Sequence, residues 1–252
     1  MAAKMQIDEF LQLVRNRRCI RNFKPDPVPD EVIQKILEAA RWAMSGGNAQ
    51  PWEFIVIKDQ NTKNKIGELY TEYWKAIYAF EKGRSEDLRH QGFTAPPTGE
   101  LPGFVNAPVI IAVCADPRTL FSTVLIAYMA DGEGGPKATF LKGIANATFM
   151  LQLATAACGL TSQWLSTDRT WMTSLKNVLD VPEALEIHTL VPIGYPAYKK
   201  PAPYRRKLKE IVHYEKYDHS KYRTEEDIME WIRHLRQMSR PAYKKPSGDT
   251  WA

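Results

Sequence analysis

At 252 residues, with 44% hydrophobic and 25% charged side chains, the chain is long enough to bury a substantial core and has the composition of an ordinary soluble globular protein. It holds no apolar run long enough for a membrane span, and its three cysteines, none in CxxC spacing, argue against a disulfide framework or a zinc site. The net charge of +5 is thinly spread before the basic C-terminal stretch, so an anionic cofactor or substrate is expected as its cause, not nucleic acid, and a reducing, cytoplasmic setting is expected.

The opening residues alternate charge with apolar positions, as an amphipathic helix does and a secretory leader does not. Residues 6–16 predict that helix, with Phe10, Leu11, Leu13 and Val14 inward. Arg17, Arg18 and Arg21 follow, with Cys19 among them. Read alone they are a solvated charge run, although the planar guanidinium, with its two parallel donors, is also the side chain suited to gripping an anion. PDPVPD at 25–30 is a rigid extended lead-in, and Asp30 is expected to cap a helix over 31–43. That helix breaks into Met44-Ser45-Gly46-Gly47-Asn48, where glycine opens backbone angles closed to other residues. Pro51 blocks a return to helix, and a buried strand is expected over 53–58. A helix–glycine loop–strand junction of this kind either brings bare backbone N–H groups up to a flat ligand or is a simple turn.

A second helix is expected over 61–81, with an aromatic density well above the chain's 11%. Tyr70, Tyr73, Trp74 and Tyr78 stand at spacings of three, four and eight residues and can share a face, while Phe80 points elsewhere. Residues 82–104 are polar and rich in Gly and Pro and read as a mobile loop, of a length that is usually a functional lid or disordered. The run 108–115 is the clearest buried strand; 117–130 reads as a short helical stretch, and the glycine-rich loop 131–137 lacks phosphate-loop spacing. A long apolar helix is expected over 138–158, its small residues Ala145, Ala147, Ala154, Ala156 and Ala157 permitting close helix contact, with Gly159 closing it. A strand over 160–167 ends in Leu165, Ser166 and Thr167; Ser166 could equally cap the next helix, expected over 171–180. A final strand, 188–193, runs into Gly194-Tyr195-Pro196 and the cluster Lys199, Lys200, Arg205, Arg206, Lys207. Residues 225–238 predict an amphipathic helix and 241–252 a basic, frayed tail. No histidine has metal-ligand spacing, so no metal is expected.

Four of these segments, RRCIRNF, PVPDEVIQKILEAARWA, MSGGNAQPW and PIGYPAYKKPAPYRRKL, occur in the order of the FMN-dependent nitroreductase superfamily, which the chain resembles over roughly residues 8 to 215. Two positions depart from the family pattern: Cys19 stands where Ser is usual and Met44 where Pro is usual. The resemblance implies an α+β fold, a mostly antiparallel central sheet flanked by helices, in an intertwined homodimer. One domain would cover 1–215, with a variable lid over 70–104, and residues 216–252 would be an extension. FMN would sit at the subunit boundary. Arg17 and Arg18 would hold its phosphate–ribityl end, with Cys19 beside them, and Arg21 would lie near the pyrimidine edge, where a cation stabilises charge gathered on reduction. Arg205, three residues before Leu208, would be the second phosphate ligand. Leu165, Ser166 and Thr167 would face the flavin, with Ser166 beside N5, while Met44, Ser45, Gly46, Gly47 and Asn48 would come from the partner chain. The 138–158 helix would build the dimer interface.

With no GxGxxG fingerprint, NADH or NADPH would dock transiently on the same open flavin face as the oxidant, giving ping-pong kinetics. The expected reaction is reduction of small conjugated acceptors such as nitroaromatics or quinones, with Tyr70, Tyr73 and Trp74 as the substrate wall. Ene reduction, reductive dehalogenation, flavin fragmentation to dimethylbenzimidazole and a non-enzymatic flavin sensor remain open alternatives. Dehalogenases of the family grip a zwitterion with a Glu–Tyr–Lys set in the lid; Glu72 and Tyr73 are adjacent here, which speaks against that chemistry.

Overall fold

The computed structural model describes residues 6–89, 100–122 and 135–239. The middle of the expected lid (90–99), most of the expected 117–130 helical stretch, the start of the glycine-rich loop and the basic tail lie outside the described residues. The chain divides into two compact units, Met1–Tyr70 with Leu101–Lys200 and Thr71–Glu100 with Pro201–Ala252.

The first unit is organised around β2 (Val109–Ala115), a run of seven buried residues. An unbroken apolar run of this kind is what a strand covered on both faces requires. It pairs antiparallel with β1 (Trp52–Ile57) on one side and β5 (Glu186–Gly194) on the other. β5 in turn carries two short antiparallel strands, β3 (Thr161–Ser162) and β4 (Leu165–Ser166), giving the order β1-β2-β5-β3 with β4 beside β5. Helix α1 (Ile7–Asn16) precedes the sheet, and α2 (Asp30–Arg41) packs with α4 (Pro136–Ala157). The buried positions of α4 include Phe140, Gly143, Ile144, Ala147, Leu151 and Thr155, a single stripe at helical spacing. That stripe meets Ile33, Ile36 and Ala40 of α2 and Ile111, Val113, Val191 and Ile193 of the sheet in one core cluster. Pro136 sits in the first turn of α4, where its missing N–H costs nothing, and Gly159 follows the helix at φ +73°. Helix α3 (Gln60–Lys82) begins in the first unit, and α5 (Arg169–Leu179) lies within it.

Four expectations change. No residue of α1 is buried: the helix touches α4, but Phe10 and Val14 stay 37% exposed among the described residues. Asp30 is the first helical residue and not the cap; Pro29 occupies the cap position, and the Asp30 carboxylate pairs with Lys58 instead. β1 is an edge strand in which only Trp52 and Ile57 are fully buried. The single strand expected over 160–167 is two, parted at Gln163 and Trp164. The partner strand explains the break: Gln163 N donates to Pro192 O at 3.2 Å, but Pro192 has no N–H to return.

The second unit contains the end of α3, the short α6 (Leu208–Ile211) and α7 (Glu225–Ser239). Thr224 and Asp227 cap α7 reciprocally: Thr224 N donates to Asp227 Oδ2 at 2.8 Å and Asp227 N to Thr224 Oγ1 at 3.2 Å. Among the described residues no helix is long and apolar enough to cross a membrane, and no cluster of three or more His, Cys, Asp or Glu could hold a metal.

Candidate functional site

Residues 17–24 leave α1 as an extended strap whose backbone is pinned at both ends. Ile20 N donates to Ser162 O at 3.2 Å, Thr161 Oγ1 donates to Arg18 O at 3.0 Å, and Cys19 bridges Ser162 in parallel. Further along, Lys24 N donates to Tyr195 O at 2.9 Å and Ala197 N to Asn22 O at 3.1 Å. Ile20 and Phe23 are the buried anchors, at 2% and 4% exposure, so the arginines between and before them stay half-buried. Gly103 lets the neighbouring loop close on the strap, since a Cβ there would fall 1.4 Å from Asn22 Oδ1.

The three arginines are not equivalent. Arg18 is consumed in shaping the strap: Nε donates to Lys200 O at 3.2 Å and Nη1 to Arg15 O at 2.5 Å and Arg17 O at 3.0 Å. Arg17 makes no side-chain hydrogen bond to any described residue, so its fork is available to an anion. Arg21 acts on Tyr70, whose hydroxyl burial pushes up to about 12 while the Arg21 charge pulls the other way. Tyr198 and Lys200 also support the strap, accepting from Arg21 N at 3.4 Å and donating to Cys19 O at 3.3 Å. The sequence signal for these two was the basic stretch after Gly194-Tyr195-Pro196, read there only as a charge cluster.

β3 and β4 bring two serines onto the same partner strand as the strap's anchor. Ser162 Oγ is buried without a hydrogen-bond partner, as is the side-chain oxygen of Gln163. Ser166 is exposed, paired through its backbone with Thr189. It is not the cap of α5: Asp168 is, accepting from Thr170 N at 2.8 Å. The Thr167 hydroxyl is occupied by Ile187 O, and Leu165 is buried, so Ser166 carries the available hydroxyl of the three.

The Met44–Asn48 loop is equally well built but stands elsewhere. Gln50 N donates to Ser45 Oγ at 2.9 Å, and Asn146 Nδ2 donates to Met44 O at 3.0 Å. Gly46–Asn48 forms a 3-10 turn in which Gly47 has φ +59°, a left-handed angle natural to glycine. Ser45 packs at Gly143 in the first half of α4, whereas the strap joins β3, just beyond the helix's other end. At a rise of 1.5 Å per residue the separation along α4 is roughly 20 Å, so one chain does not unite the loop with the arginines.

Of the remaining positions, Tyr70 packs edge-on against Phe104 and Trp171, with ring centroids 5.2 and 5.7 Å apart. Tyr73 and Trp74 are half-buried on the second-unit part of α3. Arg205 is exposed, with Nη1 donating to Tyr204 O at 2.9 Å, while Arg206 is held by Glu210 through its carbonyl at 3.0 Å and its carboxylate at 3.7 Å. A flat anionic cofactor suits this donor set: Arg17 offers a free fork, the other arginines add positive field, and the buried Ser162 hydroxyl lacks a partner.

A nitroreductase family model matches residues 14–195. A protein of Archaeoglobus fulgidus named "Putative NADH dehydrogenase/NAD(P)H nitroreductase" is 30% identical over 196 residues, covering 77% of this chain and 89% of that protein. An iodotyrosine deiodinase of Nematostella vectensis is 28% identical over 83% of this chain and 76% of its own length, and a 5,6-dimethylbenzimidazole synthase of Rhodospirillum rubrum is 29% identical over 76% and 84%. Among solved structures, oxidised iodotyrosine deiodinase bound to FMN and 3-iodo-L-tyrosine superposes with a TM-score of 0.62 at 24% identity, covering 82% of this chain and all of that one. The motif order along the chain, the antiparallel sheet with flanking helices and the match over most of its length agree, and the chain belongs to the nitroreductase family.

Proposed function

We propose that the protein is an FMN-dependent oxidoreductase in which NADH or NADPH and a small conjugated acceptor use one open flavin face in turn. The observation that carries this reading is the division of labour in the strap: Arg18 gives its donors to backbone carbonyls, while Arg17 keeps its own free on a strap whose Cys19 bridges Ser162, a residue with a buried, unpartnered hydroxyl. FMN, when bound, supplies the hydride-accepting and hydride-donating centre. The chain supplies binding and orientation. Arg17 would grip the phosphate, Arg18 would fix the strap and add positive field, and Arg21 would stabilise negative charge at the pyrimidine edge. Ser166 would present its hydroxyl towards N5. Arg205 is assigned the second phosphate contact by the family pattern alone.

A second copy of the chain is part of this reading, because the Met44–Asn48 loop stands away from the arginines of its own chain. Apolar side chains in the first unit are exposed to match: Ile7 at 65%, Trp42 at 70% and Met44 at 79%, with Leu141 and Phe149 on the outer side of α4. Covering them in a homodimer would place the partner's loop over the cofactor.

Nitroarenes and quinones are the acceptor class we favour, with Tyr73 and Trp74 assigned the stacking contacts by the family pattern alone. Glu72 and Tyr73 are adjacent and not a helical turn apart, as a zwitterion-gripping set would need, so halotyrosine turnover is not expected. The test is anaerobic reduction by NADH or NADPH, read as bleaching of the yellow colour, followed by addition of a nitroarene, a quinone or iodotyrosine. Return of colour with the first two supports the reading; return with iodotyrosine alone replaces it by dehalogenation, and a flavin that no nicotinamide bleaches makes the protein a sensor. Trp74→Ala should lower efficiency with aromatic acceptors, at roughly 0.5–1.5 kcal/mol per stacking contact, while sparing flavin reduction.

A further inference from the structure

The family match ends at residue 195, yet the second unit builds a cavity of about 500 Å³ entirely downstream of it, between Arg206 and His234. One wall is a face of α7: Asp227, Glu230, Trp231 and His234 follow each other at helical spacing, and the other wall is the segment Ser220–Arg223. Much of the charge around it is already matched. Arg206 is held by Glu210, Asp227 caps its own helix through Thr224, and Lys221 donates to Val212 O at 2.9 Å and stands 3.3 Å from Asp218.

Three groups are left over. The side chains of Arg223, Glu230 and His234 make no hydrogen bond to any described residue, and Arg223 and Glu230 do not pair with each other. Between them stands a broad aromatic platform. The Trp231 ring lies 5.3 Å from Tyr204 and 5.8 Å from His234, both tilted, with the Arg223 guanidinium 5.4 Å from its centroid. A structural role would have joined the cation to the carboxylate. Instead the cavity keeps a cation that rests over the indole with its N–H donors unused, a carboxylate with no partner among the described residues and the aromatic platform itself, which together suit a flat ring carrying an anionic group and N–H donors.

We propose that this cavity is a binding site for a purine nucleotide. The base stacks on Trp231 and His234, Glu230 accepts from an exocyclic amine or ring N–H, and Arg223 meets the phosphate with the Lys221 charge behind it. The site uses no residue of the family match, so it stands or falls independently of the flavin chemistry.

The experiment is titration of the full-length protein, carrying the flavin it retains, with AMP, GMP, adenosine and inorganic phosphate by calorimetry and ligand-observed NMR. One nucleotide should bind per chain, adenosine should bind more weakly, and phosphate should not compete at equal concentration. Trp231→Ala and Arg223→Gln should each weaken the nucleotide by roughly tenfold or more, and Trp231→Phe should retain most of the affinity. Circular dichroism and flavin absorbance on the same samples separate lost binding from lost folding. If Trp231→Ala unfolds, Arg223→Gln, on a loop, decides alone. Absence of nucleotide saturation at millimolar concentration, displacement by phosphate alone, preference for free tyrosine over AMP, or nucleotide affinity unchanged in Arg223→Gln would each overturn the proposal.

Discussion

In the first unit all seven residues of β2 are buried and the α4 stripe closes over them, whereas in the second unit Thr71 is the only buried residue among those described. The second unit is ordered by other means: the Arg233–Asp87 pair at 2.8 Å, the Thr224–Asp227 cap, and the ring contacts of Tyr204, Trp231 and His234. Exposed ion pairs contribute about 0–1 kcal/mol each and a helix cap about 1, less than the roughly 2–5 lost when a buried aliphatic side chain is truncated. The difference teaches where each task can be placed. A strap that must hold a guanidinium in fixed register needs the rigid unit beneath it; a surface cavity with unpaired charges can be carried by the looser one.

The contrast predicts unequal costs of truncation. Leu190→Ala, at a fully buried position of β5, should lower unfolding free energy by about 2–5 kcal/mol in urea titration. Tyr222→Ala, in the second unit and 67% exposed, should stay within about 0.5 kcal/mol. Equal losses would erase the distinction between the units.

Next in size is the strap itself. Arg17→Ala should weaken FMN by about 1.5–3 kcal/mol, the loss of one charge-assisted contact, without lowering thermal stability of the flavin-free protein. Arg205→Ala should cost FMN affinity similarly; an unchanged dissociation constant would hand that role to Lys207, since Arg206 is already engaged by Glu210.

The two units should also differ in how they tolerate a methyl group. Gly47→Ala forces an L-residue to φ +59° with its Cβ 2.9 Å from Ser122 O, so thermal denaturation should show a loss of about 1–2 kcal/mol. Gly83→Ala, in the second unit, meets only Phe80 O at 3.4 Å and should be close to neutral.

A pH dependence, confined to alkaline solution, comes last. Burial raises the Tyr70 hydroxyl from 10.0 to about 12, so folding favours its neutral form. That contribution is complete below pH 10 and is lost as pH climbs towards 12. Tyr70→Phe should flatten the alkaline fall in stability over this window; an unchanged slope would mean that the ring is hydrated in solution.

Much of the rigid unit is legible in the sequence because its signals are strong and local. Val109-Ile110-Ile111-Ala112-Val113 can hardly be anything but a covered strand, and the α4 stripe repeats at helical spacing. What escaped depends on partners distant in sequence. The break between Ser162 and Leu165 is set by Pro192 across the sheet, and the partner of Asp30 is Lys58, 28 residues on. α1 is expected to have a buried inward face, but within one chain it meets only α4 and none of its residues is fully buried. In the site, the arginines can be picked out by type and order, yet only the fold separates Arg18, spent on carbonyls, from Arg17, left free. The Asp168 cap could have been read from its place two residues before Thr170, and that reading would have released Ser166 from the capping role at once.

The central claim, a flavin held by the strap of one chain and the loop of another, is tested most directly by the chromophore and the particle that carries it. The purified protein should be yellow, should release FMN and not FAD on denaturation, and should scatter light at low micromolar concentration as a particle of about twice 28.8 kDa. Colourless protein that takes up no added FMN, or a stable flavin-bound monomer, would contradict the account.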